Sequence, residues 1–389
     1  MDLVCAMELM KNVSQFPDFI NGQIPKKFRL VKVEPSPQGN RTSVPLDVFA
    51  DAVREVISIC KIPIEIHLSK TFFSYRDPHD SVGRLSGYLK NNVTGLSITI
   101  NSAKRPSNDV PIDYLLWLRH MNHLESLSVT AYGPTMVPSA ALSKVSHTLK
   151  KLSLYHYVQI DAHLPQSRLV SFPNLQSVHL EDCYLCSEYI NLIPDTVTDL
   201  HVIYGSDEPT DTQVTHFKLP LSIKSFEWRS SGKLPVITNW QQINCLDLVQ
   251  LNGLSLHELS ETSFTNFKLP SKKLTLKFIN RCITSLEKLD LRKLTRVELL
   301  ELYSETAYQH YPDFNLSLLP QQDLLKFKLN IPFNKLTGTL PPSITYFEVG
   351  TMEQGNLNSL ASISQHWNLH SLVISSPMGV VDLRDSTLF

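Results

Sequence analysis

A six-residue frame, apolar-x-x-apolar-x-apolar, recurs along most of this chain and leaves few folds open to it. It reads Val93-Leu96-Ile98, Leu124-Leu127-Val129, Leu149-Leu152-Leu154, Leu175-Val178-Leu180, Val197-Leu200-Val202, Ile223-Phe226-Trp228 and Ile243-Leu246-Leu248. After a weaker copy at Leu274-Leu276 it continues as Val297-Leu300-Leu302, Leu324-Phe327-Leu329, Ile344-Phe347-Val349 and Leu369-Leu372-Ile374. Successive first members keep a spacing of roughly 20–30 residues, the period of stacked-repeat folds. The last two members of each frame stand two apart, so both point to one side of a short strand and the residue between them points to the other. One such segment cannot bury its apolar row alone; a stack of them can. The expected fold is therefore α/β: a solenoid with one curved parallel sheet, apolar within and polar on its concave face. A further match, Leu286-Leu289-Leu291, begins too close to the frame at Val297 to be a coil of its own. It reads as a helix on the outer side of a repeat that starts near 271.

The chain has 389 residues, but repeats void any domain count taken from length. Apolar residues make up 42%, too many for a disordered chain. No stretch approaches the roughly 18 uncharged apolar residues that cross a bilayer, so no membrane role is expected. The start, MDLVCAMELMKNVSQF, lacks the basic and apolar regions of a secretory signal. Six cysteines (Cys5, Cys60, Cys183, Cys186, Cys245 and Cys282) are scattered without a framework pattern. They read as reduced thiols of a cytoplasmic or nuclear protein. The sequons at Asn12, Asn40, Asn92 and Asn315 then read as chance matches.

The frame resembles the leucine-rich-repeat superfamily over about residues 60–376, in its irregular intracellular branch. That branch often places asparagine or cysteine after the strand. Here Tyr157, Cys183, Gly205 and Gly232 occupy comparable places, so a regular asparagine ladder is not expected. Proline turns introduce several strands: IPDTVTDLHV (193–202), LPLSIKSFEW (219–228) and LPPSITYFEV (340–349). FNKLTGTLPPSITYFEVG (333–350) is similar to the FNIP variety of short repeat. VPIDYLLWLRHM (110–121) and SAALSKVSHT (139–148) have helical spacing, whereas later connectors such as SDEPTDTQVTHFKLP are polar. The expectation is α/β repeats first and thinner repeats afterwards.

The solenoid is expected to span 28–389, clearest over 93–376. FRLVKV (28–33) and IPIEIHL (62–68) read as strands around an amphipathic helix at 45–60, whose apolar face is Leu46, Phe49, Val53, Val56 and Ile57. A helix is expected near 81–90, and residues 34–44 read as a polar loop. Residues 1–27 are expected to be a capping helix or a remnant, with Leu3, Met7, Leu9, Met10 and Val13 available to cover an open end. Relatives implied by the resemblance often carry an F-box before the solenoid and serve as substrate receptors of ubiquitin ligases. Here the first strand is expected as early as Phe28, which leaves a short segment before it, and no Leu-Pro-x-Glu start is present in that segment.

Motifs for catalysis are weak. His257-Glu258-Leu259-Ser260-Glu261 begins like a zinc-protease motif but has Glu261 where the second histidine belongs. Gly350 and Gly355 have P-loop spacing, yet Asn356 replaces the lysine. No G-x-S-x-G elbow occurs. Cys183 and Cys186 form a lone C-x-x-C without a second ligand pair. These read as turns and core filler, so neither a metal, a cofactor nor a small-molecule substrate is expected, and the chain is not expected to be an enzyme.

The exposed strand positions are Ser128, Ser153, His179, His201, Glu227, Asp247, Thr275, Glu301, Lys328, Glu348 and Val373, flanked by Tyr155, Glu181, Arg229, Lys277 and Tyr303. His179 and His201, in successive frames, are expected about 5 Å apart across the sheet. They read as an exposed pair, with a pH-sensitive or metal-assisted contact as the alternative. Glu181, Glu227, Asp247 and Glu301 lean acidic, which would favour a protein partner with a basic segment. The net charge of −1 gives no pull toward nucleic acid. Candidate contact residues are Tyr155, His179, Glu181, His201, Glu227, Arg229, Asp247, Lys277, Glu301, Tyr303 and Lys328. The expected function is a protein-binding scaffold or adaptor, with a ubiquitin-ligase substrate receptor as the setting that the resemblance implies. A GTPase-regulating or other enzyme-associated solenoid is the alternative.

Overall fold

The computed structural model describes residues 28–31, 51, 54–55, 58, 64–68, 93–100, 118, 121–137, 142, 145–160, 172–182, 193–203, 216–229, 236–239, 242–243, 246–254, 271–278, 291–292, 294, 296–304, 313–331, 333–350, 368–376 and 379–382. The chain folds as two compact units. The first comprises Met1–Leu185 with Leu192–Val197, and the second Cys186–Asn191 with Thr198–Phe389.

The first unit is a parallel stack of strands β1 (Phe28–Val31), β2 (Ile64–Leu68), β3 (Val93–Ile100), β4 (Ser126–Val137), β5 (Lys151–Ile160) and β6 (Ser177–Glu181). The frame explains the stacking. Leu96, Leu127, Leu152 and Val178 fall in register, and so do Ile98, Val129, Leu154 and Leu180. All eight are buried, as are the first members Val93, Leu124, Leu149 and Leu175. The residues between them face the other way, giving β6 its alternating burial.

The second unit repeats this plan with larger side chains. Its main strands are β7 (Asp199–Ile203), β9 (Ser225–Arg229), β11 (Leu246–Leu254), β12 (Ser271–Phe278), β13 (Leu299–Ser304), β15 (Lys326–Asn330), β17 (Tyr346–Gly350) and β18 (Ser371–Ser376), all parallel. An antiparallel strand, β19 (Gly379–Asp382), turns back along β18. Phe327 and Phe347 stack in adjacent coils, with centroids 5.3 Å apart and planes 3° from parallel. Phe314 also stacks with Phe327, with centroids 6.0 Å apart. Such pairs add about 0.5–1.5 kcal/mol beyond their buried area.

Coils are stapled by backbone and by a polar rung. One carbonyl accepts the two amides that open the next coil's strand: Glu125 from Lys150 and Lys151, Lys150 from Gln176 and Ser177, Thr198 from Lys224 and Ser225, and Leu325 from Thr345 and Tyr346. The proline turns share one geometry, with Val197, Ile223 and Ile344 donating to the carbonyls of Pro194, Pro220 and Pro341 at 3.1, 3.2 and 3.2 Å. The residue just before the frame reaches back with its side chain. Thr148 donates to Leu124, Asn174 to His147, Thr196 to Leu175 and Asn368 to Pro342. This rung stands before the strand, where an asparagine ladder would stand after it.

The expected α/β alternation is not what the described residues show. Among the described residues α-helical backbone is confined to Asp51, Arg54, Glu55 and Ser58 within the expected 45–60 helix, and to Leu142 and Val145 within 139–148. Leu142 and Val145 are buried, as a helix packed on a sheet requires. Of 110–121 only Leu118 and Met121 are described, both buried. In the second unit the described parts of the return paths include two short parallel pairs. β8 (His216–Phe217) pairs with β10 (Val236–Ile237), and β14 (Phe314–Asn315) with β16 (Leu336–Thr337). A 3-10 turn at Leu316–Leu318 follows β14, with Asn315 accepting from the Ser317 amide. Proline and glycine within 333–342 keep that stretch from winding into a helix, since proline removes a donor and glycine loses too much freedom. Gly338 sits at φ +76°, and a Cβ there would strike the side chains of Asn315 and Ser317. Residues 1–20, 34–44, 81–90 and 255–261, the Cys183–Cys186 pair and the expected helix at 286–290 lie outside the described residues.

Candidate binding face

In the first unit the open side of the sheet carries a row of small hydroxyls. Ser97, Ser128 and Ser153 align across β3, β4 and β5, and the row reaches His179 on β6. Thr130, Tyr155 and Glu181 form the next row. Bulk and charge gather at β5 and β6. The Tyr155 and His179 rings meet at 4.9 Å, inclined by 32°. His179 Nε2 lies 3.2 Å from Glu181 Oε2. Just beyond, His156 Nδ1 lies 3.5 Å from Asp182 Oδ2. Both residues have positive φ, 58° and 52°. His156 sits where the pairing of β4 with β5 shifts register and Asp182 just after β6 ends, and histidine and aspartate tolerate this conformation better than most residues.

In the second unit the equivalent row is charged. It runs His201, Glu227, Gln250, Thr275, Glu301, Lys328, Glu348 and Val373. His201 Nδ1 lies 2.8 Å from Glu227 Oε2, and Arg229 is exposed beside them. Glu301 is the centre of the ladder and only 6% exposed. Its Oε2 accepts from Thr275 Oγ1 at 2.9 Å and lies 3.3 Å from Lys273 Nζ. Its Oε1 lies 3.4 Å from Lys328 Nζ. Lys328 also reaches Glu348, at 3.6 Å, and Glu348 accepts from the Tyr346 hydroxyl at 2.8 Å. Burial works to lower the Lys328 pKa, but the carboxylates of Glu348 and Glu301 overcome it and hold the ammonium above its ordinary value. Burial, with the Glu301 charge, pushes the Tyr303 phenol up, against the pull of Lys328 and the hydrogen bond to Asn330.

The sequence-derived candidates therefore divide. Tyr155, His179 and Glu181 come together in the first unit, and His201, Glu227 and Arg229 in the second. Glu301, Tyr303 and Lys328 share one network, and Lys277 takes the position opposite Tyr303. Asp247 is a correction. Gln250 stands between Glu227 and Thr275, while Asp247 is exposed outside that row. The segment LDLVQLNGL offers two apolar pairs, Leu246 with Leu248 and Val249 with Leu251. Pairing sets Val249 and Leu251 opposite Phe226 and Trp228. A slip between two such pairs changes which polar residue faces out. Within the expected acidic stripe, Glu301 lies against Lys273 and Lys328. Lys273 and Tyr346 were legible as strand positions two before the row, but not as partners of its acids. Asn239 had no signal: it is 4% exposed and clamps the backbone of Leu219, accepting from its amide at 2.8 Å and donating to its carbonyl at 2.7 Å.

Among the described residues no group of three or more His, Cys, Asp or Glu could hold a metal ion, and no helix is long and apolar enough to cross a membrane. No family model matches the sequence, and no curated protein is significantly similar to it.

Proposed function

We propose that this chain is a leucine-rich-repeat-type scaffold that binds another protein, without catalysis, through the open faces of its parallel sheets. The single observation that carries this reading is the alternation in register. The apolar frame satisfies the fold from one side of each strand, so the residues on the other side are not needed for the core. Those positions nevertheless carry Tyr155, His179, Glu181, His201, Glu227 and Arg229 in compact groups, and tyrosine and arginine are the types most enriched at interface hot spots. Extended stacked sheets use such faces for macromolecular partners. In that role the protein would present its partner to a larger assembly, of which a ubiquitin ligase is the example offered by the resemblance.

The test is proximity labelling in the native cell with the full chain, the variants Tyr155→Ala and Arg229→Glu, and Asn122→Ala at an exposed turn as control. A partner set that survives Asn122→Ala but is lost with the face variants supports the reading. An unchanged set with all three sinks it. Co-purification of a ubiquitin-ligase adaptor subunit would support the narrower setting, and its absence from the labelled set would remove it.

A further inference from the structure

The charges on the second unit's open face are layered, and the layering says what kind of partner segment fits. The acids lie below: the side chain of Glu301 is 8% exposed and that of Glu348 20%. The ammonium-bearing side chains lie above, Lys273 at 38% and Lys328 at 29%. Lys326, two residues before Lys328 on the same side of β15, is exposed. Among the described residues no carboxylate pairs with it. Glu301 divides its two oxygens between Lys273 and Lys328, and Lys328 also reaches Glu348, so with Lys326 three ammonium groups stand over two carboxylates. Glu348 shares its own carboxylate with the Tyr346 hydroxyl.

We propose that the open face of β12, β13 and β15 docks an acidic peptide segment, whose carboxylates meet Lys273, Lys326 and Lys328 while Glu301 acts as a positioning residue. This rests on the scaffold reading and names the segment one part of the face would take. A carboxylate arriving from solvent meets ammonium groups first. Two of them are already tethered from below, so less side-chain freedom is lost on contact than with free lysines. A basic segment would meet like charge, which disfavours it. A nucleic acid is a poorer fit, because tight binding draws on a longer run of phosphate contacts and here two carboxylates sit beneath the lysines.

The test is fluorescence anisotropy with the full chain and a labelled oligoglutamate peptide, with oligolysine and single-stranded oligouridylate as rivals. Oligoglutamate is expected to bind, more weakly as salt rises. Lys326→Glu is expected to weaken it about tenfold, the effect of roughly 1.4 kcal/mol, whereas Lys326→Arg retains binding. Glu301→Gln separates positioning from simple charge. Removing a negative charge should tighten binding if charge alone matters, and weaken it if the carboxylate holds the lysines in place. Circular dichroism melting checks that this variant folds, and the exposed Lys326 keeps the test independent of it. The proposal is overturned if oligoglutamate does not bind, if Lys326→Glu binds it equally, or if oligouridylate displaces it at lower concentration. Tighter binding by Glu301→Gln overturns the positioning role. In the labelling experiment, partners lost with Arg229→Glu but kept with Lys326→Glu would leave the scaffold reading standing and remove only this inference.

Discussion

The two units use one frame to build two different open faces. In the first, Ser97, Ser128 and Ser153 leave a low row of hydroxyls, with ring and charge only at Tyr155, His179 and Glu181. In the second, Glu301, Lys328 and Glu348 interlock with Lys273, Thr275 and Tyr346 across strands β12 to β17. The interiors differ as well. The first unit's described strand core is aliphatic, while Phe226, Trp228, Phe327 and Phe347 enter the second. The lesson is that the inner row decides whether coils stack, and the outer row is free to be either nearly neutral or heavily paired.

The largest effect should come from the aromatic column. Phe327→Ala is expected to cost about 3–5 kcal/mol, because Phe327 is fully buried and loses its ring contacts with Phe314 and Phe347. Denaturant unfolding measures this, and a loss under about 2 kcal/mol would show that the column does not act as one core. Next comes the difference between the faces. Glu301→Ala should destabilise by about 1–3 kcal/mol by leaving Thr275 without its acceptor and removing one carboxylate from Lys273 and Lys328, discounted because those lysines remain partly wet. Ser153→Ala should stay within about 0.5 kcal/mol. Equal costs would erase the contrast. The polar rung comes third. Thr196→Val should cost about 0.5–1.5 kcal/mol by freeing the Leu175 carbonyl, read from the same unfolding curves.

The smallest effect is a pH dependence peculiar to the second unit. Tyr303 and Lys328 are both held above their ordinary values of 10.0 and 10.5. Both therefore bind their protons more tightly in the folded state. Their contribution is complete below those ordinary values and is lost as pH rises through the raised folded ones. Melting temperature should fall more gently above about pH 10 in Tyr303→Phe than in the parent chain. Identical alkaline slopes would show that the Tyr303 phenol adds nothing to the loss.

Much of this was legible beforehand. The frame located the long parallel strands from β3 to β18 but not the short β8, β10, β14 and β16 or the antiparallel β19, and alternation along it marked the residues between its apolar members. What it missed has definite causes. Asp247 was misplaced because β11 carries two apolar pairs, and only its neighbours choose between them. The staple at Asn239 joins residues 20 apart in sequence, a spacing that no local pattern marks. The positive φ of His156 arises inside β5, where the pairing with β4 shifts register, and that of Asp182 just after β6; no glycine announces either. Most of the residues expected to be helical lie outside the described residues, while in the second unit proline, glycine and the short pairs β8–β10 and β14–β16 hold the described connector residues extended.

The sequence by itself determined that the chain stacks as parallel coils and which side of each strand is buried. Both follow from an alternating apolar pattern that returns once per coil, at a spacing of roughly 20–30 residues. Only the tertiary structure decided what the open-face charges do. Lys273, Glu301, Lys328 and Glu348 come from four different coils, and whether they attract, cancel or cover one another depends on strand register to a single residue. That register is set by hydrogen bonds between coils and by which apolar residues meet inside. One member of the acidic row read along the chain, Glu301, is thus a buried carboxylate paired with two half-buried lysines.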